Sequence, residues 1–460
     1  MIMKNYSNSN HKANTDGLLS KMMALGFPVA IQSALVAILS LADVLMVSDF
    51  GQVATASVGI ASKWHFIATM IIGGMASANG ILIAQYWGKN DQRSAKTISL
   101  LALKNGIKIL LPVTILITVF SGTLMQLQTS DIQVIELGST YLIYSFPVLL
   151  LTHFVMVYES VLRSSGDTFT PLIFGTVTIF INIGLNYLLI KGGLGIPAMG
   201  VAGAALATTL SRLLQVIAMS LYLYSRKHWL FFAETLAQSD KLWQSYKKIA
   251  IPSTLSALTW AAGVLAYQMI FGHLGTTELA VYSMIGPFES LCYSIFFGIS
   301  VSCSVLLGQS LGRDQFSYAQ IISKFFIKIV LILGIVTGII LILTKPIVLS
   351  WLNLDSPILS HLASPALTIL SASIWLRMLN TVIINGILRA GGDNHFCLRM
   401  DFISSWLVGV PLTAYAAFVL HWEFHYVYMM MLTESLIKLL LCSHRYLKQH
   451  WIKNLTLSTI

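Results

Sequence analysis

The feature that most restricts how this chain can fold is a succession of apolar runs, each long enough to cross a bilayer, separated by short polar breaks. A hydrocarbon slab about 30 Å thick takes roughly 20 residues of helix to cross. Of the 460 residues, 56% are hydrophobic and only 10% charged, whereas water-soluble domains carry roughly 25% charged residues. So large an apolar excess has no place in a water-soluble core. The runs are continuous and do not alternate over ten-residue segments, which favours helices over a β-barrel. The chain therefore reads as an all-α membrane protein.

Twelve spans are expected, near residues 24–48, 54–86, 97–124, 138–162, 169–190 and 198–225, then 247–272, 279–310, 322–350, 362–388, 396–420 and 424–443. A net charge of +10 on a soluble chain would point to nucleic acid, but here its placement sets membrane orientation. With the N-terminus inside, the cytoplasmic segments hold Lys4, Lys12, Lys21, Lys89, Arg93, Lys96, Arg163, Arg226, Lys227, Lys241, Lys247, Lys248, Arg313, Lys324, Arg389, Arg399, Arg445, Lys448 and Lys453. The opposite loops hold only Lys191 and Lys345. Both termini are expected in the cytoplasm, and no nucleic-acid partner is expected.

The stretch from Met1 to Lys21 is polar and has no small-residue cleavage site behind an apolar core, so the first span should direct insertion. The longest polar connection, Arg226 to Lys248, divides the chain. Its organisation then reads as an N-terminal segment (1–23), a first bundle (24–225), a linker (226–246), a second bundle (247–443) and a tail (444–460). Cys292, Cys303, Cys397 and Cys442 lie in or beside apolar runs without metal-ligand spacing, and read as packing residues.

The halves repeat. At an offset of 224 residues Pro28 meets Pro252, Gly51 meets Gly275, Gly74 meets Gly298, Gln85 meets Gln309, Gly88 meets Gly312 and Lys104 meets Lys328. At 226, the run from Val161 to Asp167 meets that from Ile387 to Asp393. Six spans per half is an even number, so both halves enter from the same face. They form two six-helix bundles related by a pseudo-two-fold axis along the membrane normal, an arrangement suited to alternating access.

Several motifs carry a family resemblance: Asp43-Val44-Leu45-Met46-Val47 followed by Gly51, Gln85-Tyr86-Trp87-Gly88, Arg163-Ser164-Ser165-Gly166-Asp167, Gly200-Val201-Ala202-Gly203-Ala204-Ala205, and Arg389-Ala390-Gly391-Gly392-Asp393. In this order and spacing, over nearly the whole chain, the sequence resembles the multidrug and toxic compound extrusion (MATE) family. The resemblance implies a monomeric, multi-pass transporter of a bacterial inner membrane. Such a protein exports small organic, often cationic, compounds in exchange for entering protons or sodium ions. It implies no cofactor besides the coupling ion.

Ionisable residues within a span are costly and usually face a cavity or a partner. Asp43 stands eight residues before Gly51, about 12 Å below the outer surface at 1.5 Å per residue, and is the foremost candidate to take up and release a proton. Asn182 and Asn186 share one face of the fifth span, with Thr208 in the sixth and Tyr141 in the fourth also in the outer half. In the resembling family, an acid on the first helix with partners on the fourth, fifth and sixth forms the coupling site. That role is carried onto Asp43, Tyr141, Asn182, Asn186 and Thr208. Many relatives have a second acid where this chain has Asn186, and the missing carboxylate favours protons over sodium. Ordinary interhelical hydrogen bonding by the two asparagines is the competing expectation.

Pro28 is a candidate hinge in the first span, because proline removes a backbone hydrogen bond. The seventh and tenth spans lack the acids that some relatives carry there, and Asp43 repeats as Tyr267. Glu289 and Arg377 are expected to pair or to line the central cleft, which His65, the repeat partner of Glu289, could also reach. Glu434 and Lys438 read as a local i,i+4 pair. No glycine-rich phosphate loop, metal cluster or nucleophile motif argues for an enzyme. A lipid or oligosaccharide flippase would be expected to line its cavity with several cations, and these spans are sparingly charged. Reporter fusions check the orientation: green fluorescent protein after Ile460 should fluoresce, and alkaline phosphatase inserted after Gly192 should be active. The reverse pattern would overturn the orientation.

Overall fold

A computed structural model describes residues 8–48, 50–193, 195–235, 240–351 and 357–457; side chains of 8–16, 40–45, 48, 351 and 357–360 lie outside the described set. The spans are α1 (Asn8–Ser48), α2 (Gln52–Gly88), α3 (Gln92–Val119), α4 (Ile132–Tyr144 and Val148–Ser165), α5 (Phe169–Lys191) and α6 (Gly200–Ser225). They continue as α7 (Asp240–Leu274), α8 (Thr276–Gly312), α9 (Phe316–Trp351), α10 (Pro357–Thr381, running on as Val382–Leu388), α11 (Asn394–Phe402, Ile403–Gly409 and Val410–Phe418) and α12 (Phe424–Met431 and Thr433–Leu447). Among the described residues ten helices are long and apolar enough by themselves to cross a membrane, and the two pieces of α4, bent by 48° at Pro147, make an eleventh span. With α11, whose middle is π-helical, the described residues give the twelve expected spans.

Large apolar side chains stay uncovered on their outer faces because lipid is their solvent. Along α9, Ile332, Ile335, Ile339, Ile340 and Leu343 are exposed. In water these would form an aggregating patch. In a bilayer they are the surface a span needs.

The paired motifs turn out to be turn chemistry. Gly166 and Gly392 have φ of 101° and 79°, a left-handed conformation that side-chain-bearing residues avoid. Asp167 then caps α5, accepting from Thr170 N at 3.0 Å and Thr170 Oγ1 at 2.6 Å. Its counterpart Asp393 instead accepts two bonds from the Arg445 guanidinium, at 2.5 and 2.9 Å. The turns after α2 and α8 also repeat: Asn90 and Asp314, 224 residues apart, have φ of 60° and 57°, and Asn and Asp are the side chains that tolerate that region best.

The chain divides into two compact units, Met1–Ser33 with Gly263–Asn454, and Ala34–Ala262 with Leu455–Ile460. The division falls inside α1 and α7, not in the polar linker: residues 24–33 group with the C-terminal spans and 247–262 with the N-terminal ones. Glycine contacts supply a reason within each unit. In the C-terminal unit a Cβ on Gly298 of α8 would stand 2.3 Å from Gly26 O and 2.8 Å from Ala30 N. In the N-terminal unit a Cβ on Gly74 of α2 would stand 2.4 Å from Thr254 Cα. Gly74 repeats as Gly298 and Ala30 as Thr254, so the same close approach is built twice. Small residues let helix backbones touch in a bilayer, where apolar burial alone does not drive association.

Other contacts within the N-terminal unit strengthen this grouping. Tyr246 of α7 donates to Met75 O of α2 at 3.1 Å, and Leu455 N donates to Gln85 Oε1 at 2.7 Å. Beyond α6, the short helix Trp229–Phe232 is tied to α3 by Lys96, whose ammonium donates to Phe231 O and Ala233 O, each at 2.7 Å. His228 starts that helix by accepting from Leu230 N at 3.2 Å. Burial holds the imidazole below its usual pKa against an opposing pull from Asp167, and a ring that accepts at Nδ1 must be unprotonated there.

Gly74→Val and Gly298→Val should each lower thermal stability in detergent by roughly 1–3 kcal/mol or more, through overpacking against backbone. Gly59, with open space around its Cβ position, is the control. Gly59→Ala should leave stability unchanged or raise it by up to about 1 kcal/mol. Equal stability of all three variants would remove the close contacts from the account.

Candidate coupling-ion site

The site grows from the crossing of α5 and α6. A Cβ on Gly203 would lie 2.4 Å from Leu189 O, so the run Gly200 to Ala205 lets the two backbones approach closely. Polar side chains of ordinary length can then bridge them. Asn186 donates to Asn182 Oδ1 at 3.0 Å, and Asn182 Nδ2 donates to Ser211 Oγ at 3.2 Å and Thr208 Oγ1 at 3.5 Å. The hydroxyls pass the sequence on: Thr208 donates to Ala204 O at 3.1 Å and Ser211 to Thr208 O at 3.0 Å. Asn182 and Asn186 are 2% and 1% exposed.

Three of the expected partners, Asn182, Asn186 and Thr208, therefore meet. Ser211 joins them without having been singled out, although its position three residues after Thr208, on the same helix face, was a readable signal. Asp43 lies on α1, but its side chain is outside the described residues. One turn outward, Val47 is buried in a cluster with Ile190 of α5 and Val201 and Ala204 of α6. The helical register thus sets position 43, Asn186 and Thr208 each one turn inward from that layer. Tyr141 packs at the edge of the same cluster and against His65, ring centroids 5.9 Å apart.

His65 binds at the bend of α4. Ser145 Oγ lies 3.2 Å from His65 Nε2 and donates its proton to Tyr141 O at 2.7 Å. The imidazole must then be the donor, through Nε2–H. Pro28, the candidate hinge, is buried in the C-terminal unit, while position 43 belongs to the N-terminal one. Another cation, Arg212 on α6, was not singled out from sequence; its Nη1 donates to Gln215 Oε1 at 2.8 Å.

The C-terminal unit holds an ionic chain in place of this neutral one. Tyr267, the repeat partner of Asp43, donates to Glu434 Oε2 at 2.5 Å, and Ser405 donates to the other oxygen at 2.6 Å. Lys438 bridges Glu434 at 2.7 Å and Asp401 at 3.2 Å, and Arg389 reaches Asp401 at 3.6 Å. The expected local pair of Glu434 and Lys438 exists, as one link in a longer run. Glu289 and Arg377 form a hydrogen-bonded ion pair, as expected. The π-helical segments Val382–Leu388 and Ile403–Gly409 flank this cluster. A Cβ on Gly409 would stand 2.2 Å from Tyr267 Oη, so only glycine lets the tyrosine reach Glu434. Among the described residues no group of three His, Cys, Asp or Glu side chains is placed to hold a metal.

The MatE family model matches residues 28–188 and 252–415. The chain belongs to the MATE family. The two matched segments begin 224 residues apart, at Pro28 and Pro252, which is the offset of the internal repeat. Similar MATE relatives include a probable multidrug resistance protein NorM of Thermotoga maritima, 24% identical over 89% of this chain and 88% of that protein. Another is a probable multidrug resistance protein YoeA of Bacillus subtilis, 25% identical over 85% of each. In fold, the crystal structure of the Vibrio cholerae MATE transporter VcmN in its bent form matches with a TM-score of 0.85, at 17% identity, over 97% of this chain and 99% of that one. MATE members are transporters, not enzymes.

Removing one member of a buried ion pair leaves an uncompensated charge, at a cost of about 3–5 kcal/mol. Lys438→Met should therefore sharply lower the melting temperature in detergent. In a double-mutant cycle with Glu434→Gln the coupling should reach roughly 1–3 kcal/mol. Additive single effects would mean that the ammonium and carboxylate do not support one another.

Proposed function

We propose that this MATE protein is a proton-coupled antiporter that exports small organic compounds, drugs among them, by alternating access. Its similar relatives are named as multidrug resistance proteins, which supports the substrate class. It would act as a monomer in a bacterial inner membrane, with both termini in the cytoplasm.

The observation that carries the reading is the buried hydrogen-bond chain from Asn186 through Asn182 to Thr208 and Ser211, set at the helical register of Asp43. An ionised carboxyl accepts hydrogen bonds and a neutral one also donates. A proton arriving at Asp43 therefore changes what the neighbouring amides and hydroxyls must do. Such a chain has discrete alternative arrangements, which is what a two-state transporter requires. Pro28 gives α1 a missing hydrogen bond at which to bend as Asp43 changes charge, and is the proposed hinge.

The energetics suffice. One charge moving down 100 mV releases about 2.3 kcal/mol, and each pH unit adds about 1.4 kcal/mol. Together these sustain concentration ratios well above tenfold. Transport of a fluorescent organic cation such as ethidium into proteoliposomes, under separately imposed proton and sodium gradients, tests the proposal with wild type and Asp43→Asn. Proton-driven transport that Asp43→Asn abolishes is expected. Drive by sodium alone, or equal transport by both proteins, would overturn it.

A further inference from the structure

We propose that the residues just after α6 bind an anionic phospholipid, its acyl chains lying along Tyr224, Phe231 and Phe232 and its phosphate held by Arg226 and Lys227. The site goes beyond the transport reading above and does not depend on it, except that the leaflet concerned is the inner one in the orientation proposed there. All of its residues belong to the N-terminal unit.

The apolar half continues the lipid-facing side of α6. Leu214, Ile217, Leu221 and Tyr224 follow one another at helical spacing, and all four are exposed. The stripe does not stop where the helix does, at Ser225. Lys227 takes a left-handed φ of 50° and His228 N donates back to Leu223 O at 2.9 Å, so the chain reverses. The short helix Trp229–Phe232 then lays Phe231 and Phe232 against the Tyr224 ring, with centroids 6.4 and 5.3 Å away. Tyr224 and Phe232 are nonetheless 62% and 50% exposed. Facing water, these rings would be an uncovered apolar patch. At the end of a lipid-facing stripe they sit where interfacial aromatic residues belong. Their support is rigid: Trp229 and Leu230 are buried, the Trp229 ring packs 5.6 Å from that of Trp87, and the buried Lys96 ammonium holds the carbonyls of Phe231 and Ala233. Little ordering is left for a ligand to bring about.

The polar half is the turn itself. Arg226 and Lys227 are both exposed, and the Arg226 guanidinium lies 5.7 Å from the centre of the Tyr222 ring. Among the described residues neither cation has a carboxylate partner. Acids of the neighbouring segments are engaged elsewhere: Glu234 pairs with Arg93 at 2.6 Å, and Asp167 accepts from Thr170. Over the whole connection from Arg226 to Lys248, five cations face two acids, so the field there favours an anion. At its left-handed φ a lysine is strained where glycine is not, and the charge is what a lysine adds at that position. Two cations at the end of an apolar, lipid-facing surface match the order of a phospholipid, phosphate above acyl chain.

The test titrates the purified full chain, in nonionic detergent, with dioleoyl phosphatidylglycerol or dioleoyl phosphatidylcholine and reads bound lipid by native mass spectrometry. Each cation near a lipid surface contributes about a fivefold preference for an anionic headgroup, so wild type should bind the phosphatidylglycerol roughly thirtyfold more tightly. Lys227→Gly, which suits the backbone, should melt at the wild-type temperature or higher yet lose about fivefold of that preference. Arg226→Gln combined with Lys227→Gly should remove the preference altogether. Phe231→Ser with Phe232→Ser should weaken binding of both lipids, and glycerol phosphate, the headgroup without its chains, should not compete. Equal binding of the two lipids by wild type would reduce the surface to an apolar contact and overturn the proposal. So would an undiminished preference in the folded Arg226→Gln, Lys227→Gly protein, lipid binding unchanged by the serine substitutions, or displacement of the lipid by glycerol phosphate. None of these outcomes bears on proton coupling, which the transport assay with Asp43→Asn decides separately.

Discussion

A bilayer core offers polar groups no water, and the rest of this structure follows from how each unit meets that condition. A buried amide, hydroxyl or charge must find its partner within the protein, and where that partner stands on another helix the two must come close enough for short side chains to reach across. Gly203 against Leu189 O, Gly74 against Thr254 and Gly298 against Gly26 are places where helix backbones approach closely. The first of these brings the asparagines of α5 within reach of the hydroxyls of α6. The other two bind the start of α7 and the start of α1 into the units in which they are found.

The two halves share a repeat but solve the polar problem differently. In the N-terminal unit, α5 and α6 carry neutral amides and hydroxyls in a directional chain. In the C-terminal unit the position matching Asp43 is a tyrosine, whose hydroxyl is drawn to Glu434 and thence to Lys438, Asp401 and Arg389. The π-helical segments of α10 and α11 lie beside that ionic run. A neutral chain rearranges at low cost when one member changes protonation. An ionic run resists, because separating any link strands a charge. The asymmetry agrees with the coupling role proposed for the first half and gives the second a more rigid polar core.

Much of this was legible in the residues. Apolar runs of spanning length announced the twelve helices, since hydrocarbon thickness admits few alternatives. The offset of 224 announced the repeat, and the spacing of Asn182 and Asn186 announced a shared face. Ser211 and Arg212 were legible in principle from their distance to Thr208. A hydroxyl or a single cation in a long apolar run, however, carries no weight until its neighbours are known. The Asp167 and Asp393 motifs share Arg, Gly and Asp at the same spacing, yet one Asp caps a helix and the other binds Arg445, because the partner comes from a helix distant in the chain.

The sequence by itself determined the class of protein, the number of spans and the family, because these depend on periodicity, length and short-range order along the chain. Only the tertiary structure decided where the compact units divide, which glycines serve as contacts, and that Glu434 and Lys438 belong to a chain reaching Tyr267 and Arg389. Those outcomes depend on which helix faces meet, and in a bilayer that is settled by backbone approach and polar pairing between residues far apart in the sequence.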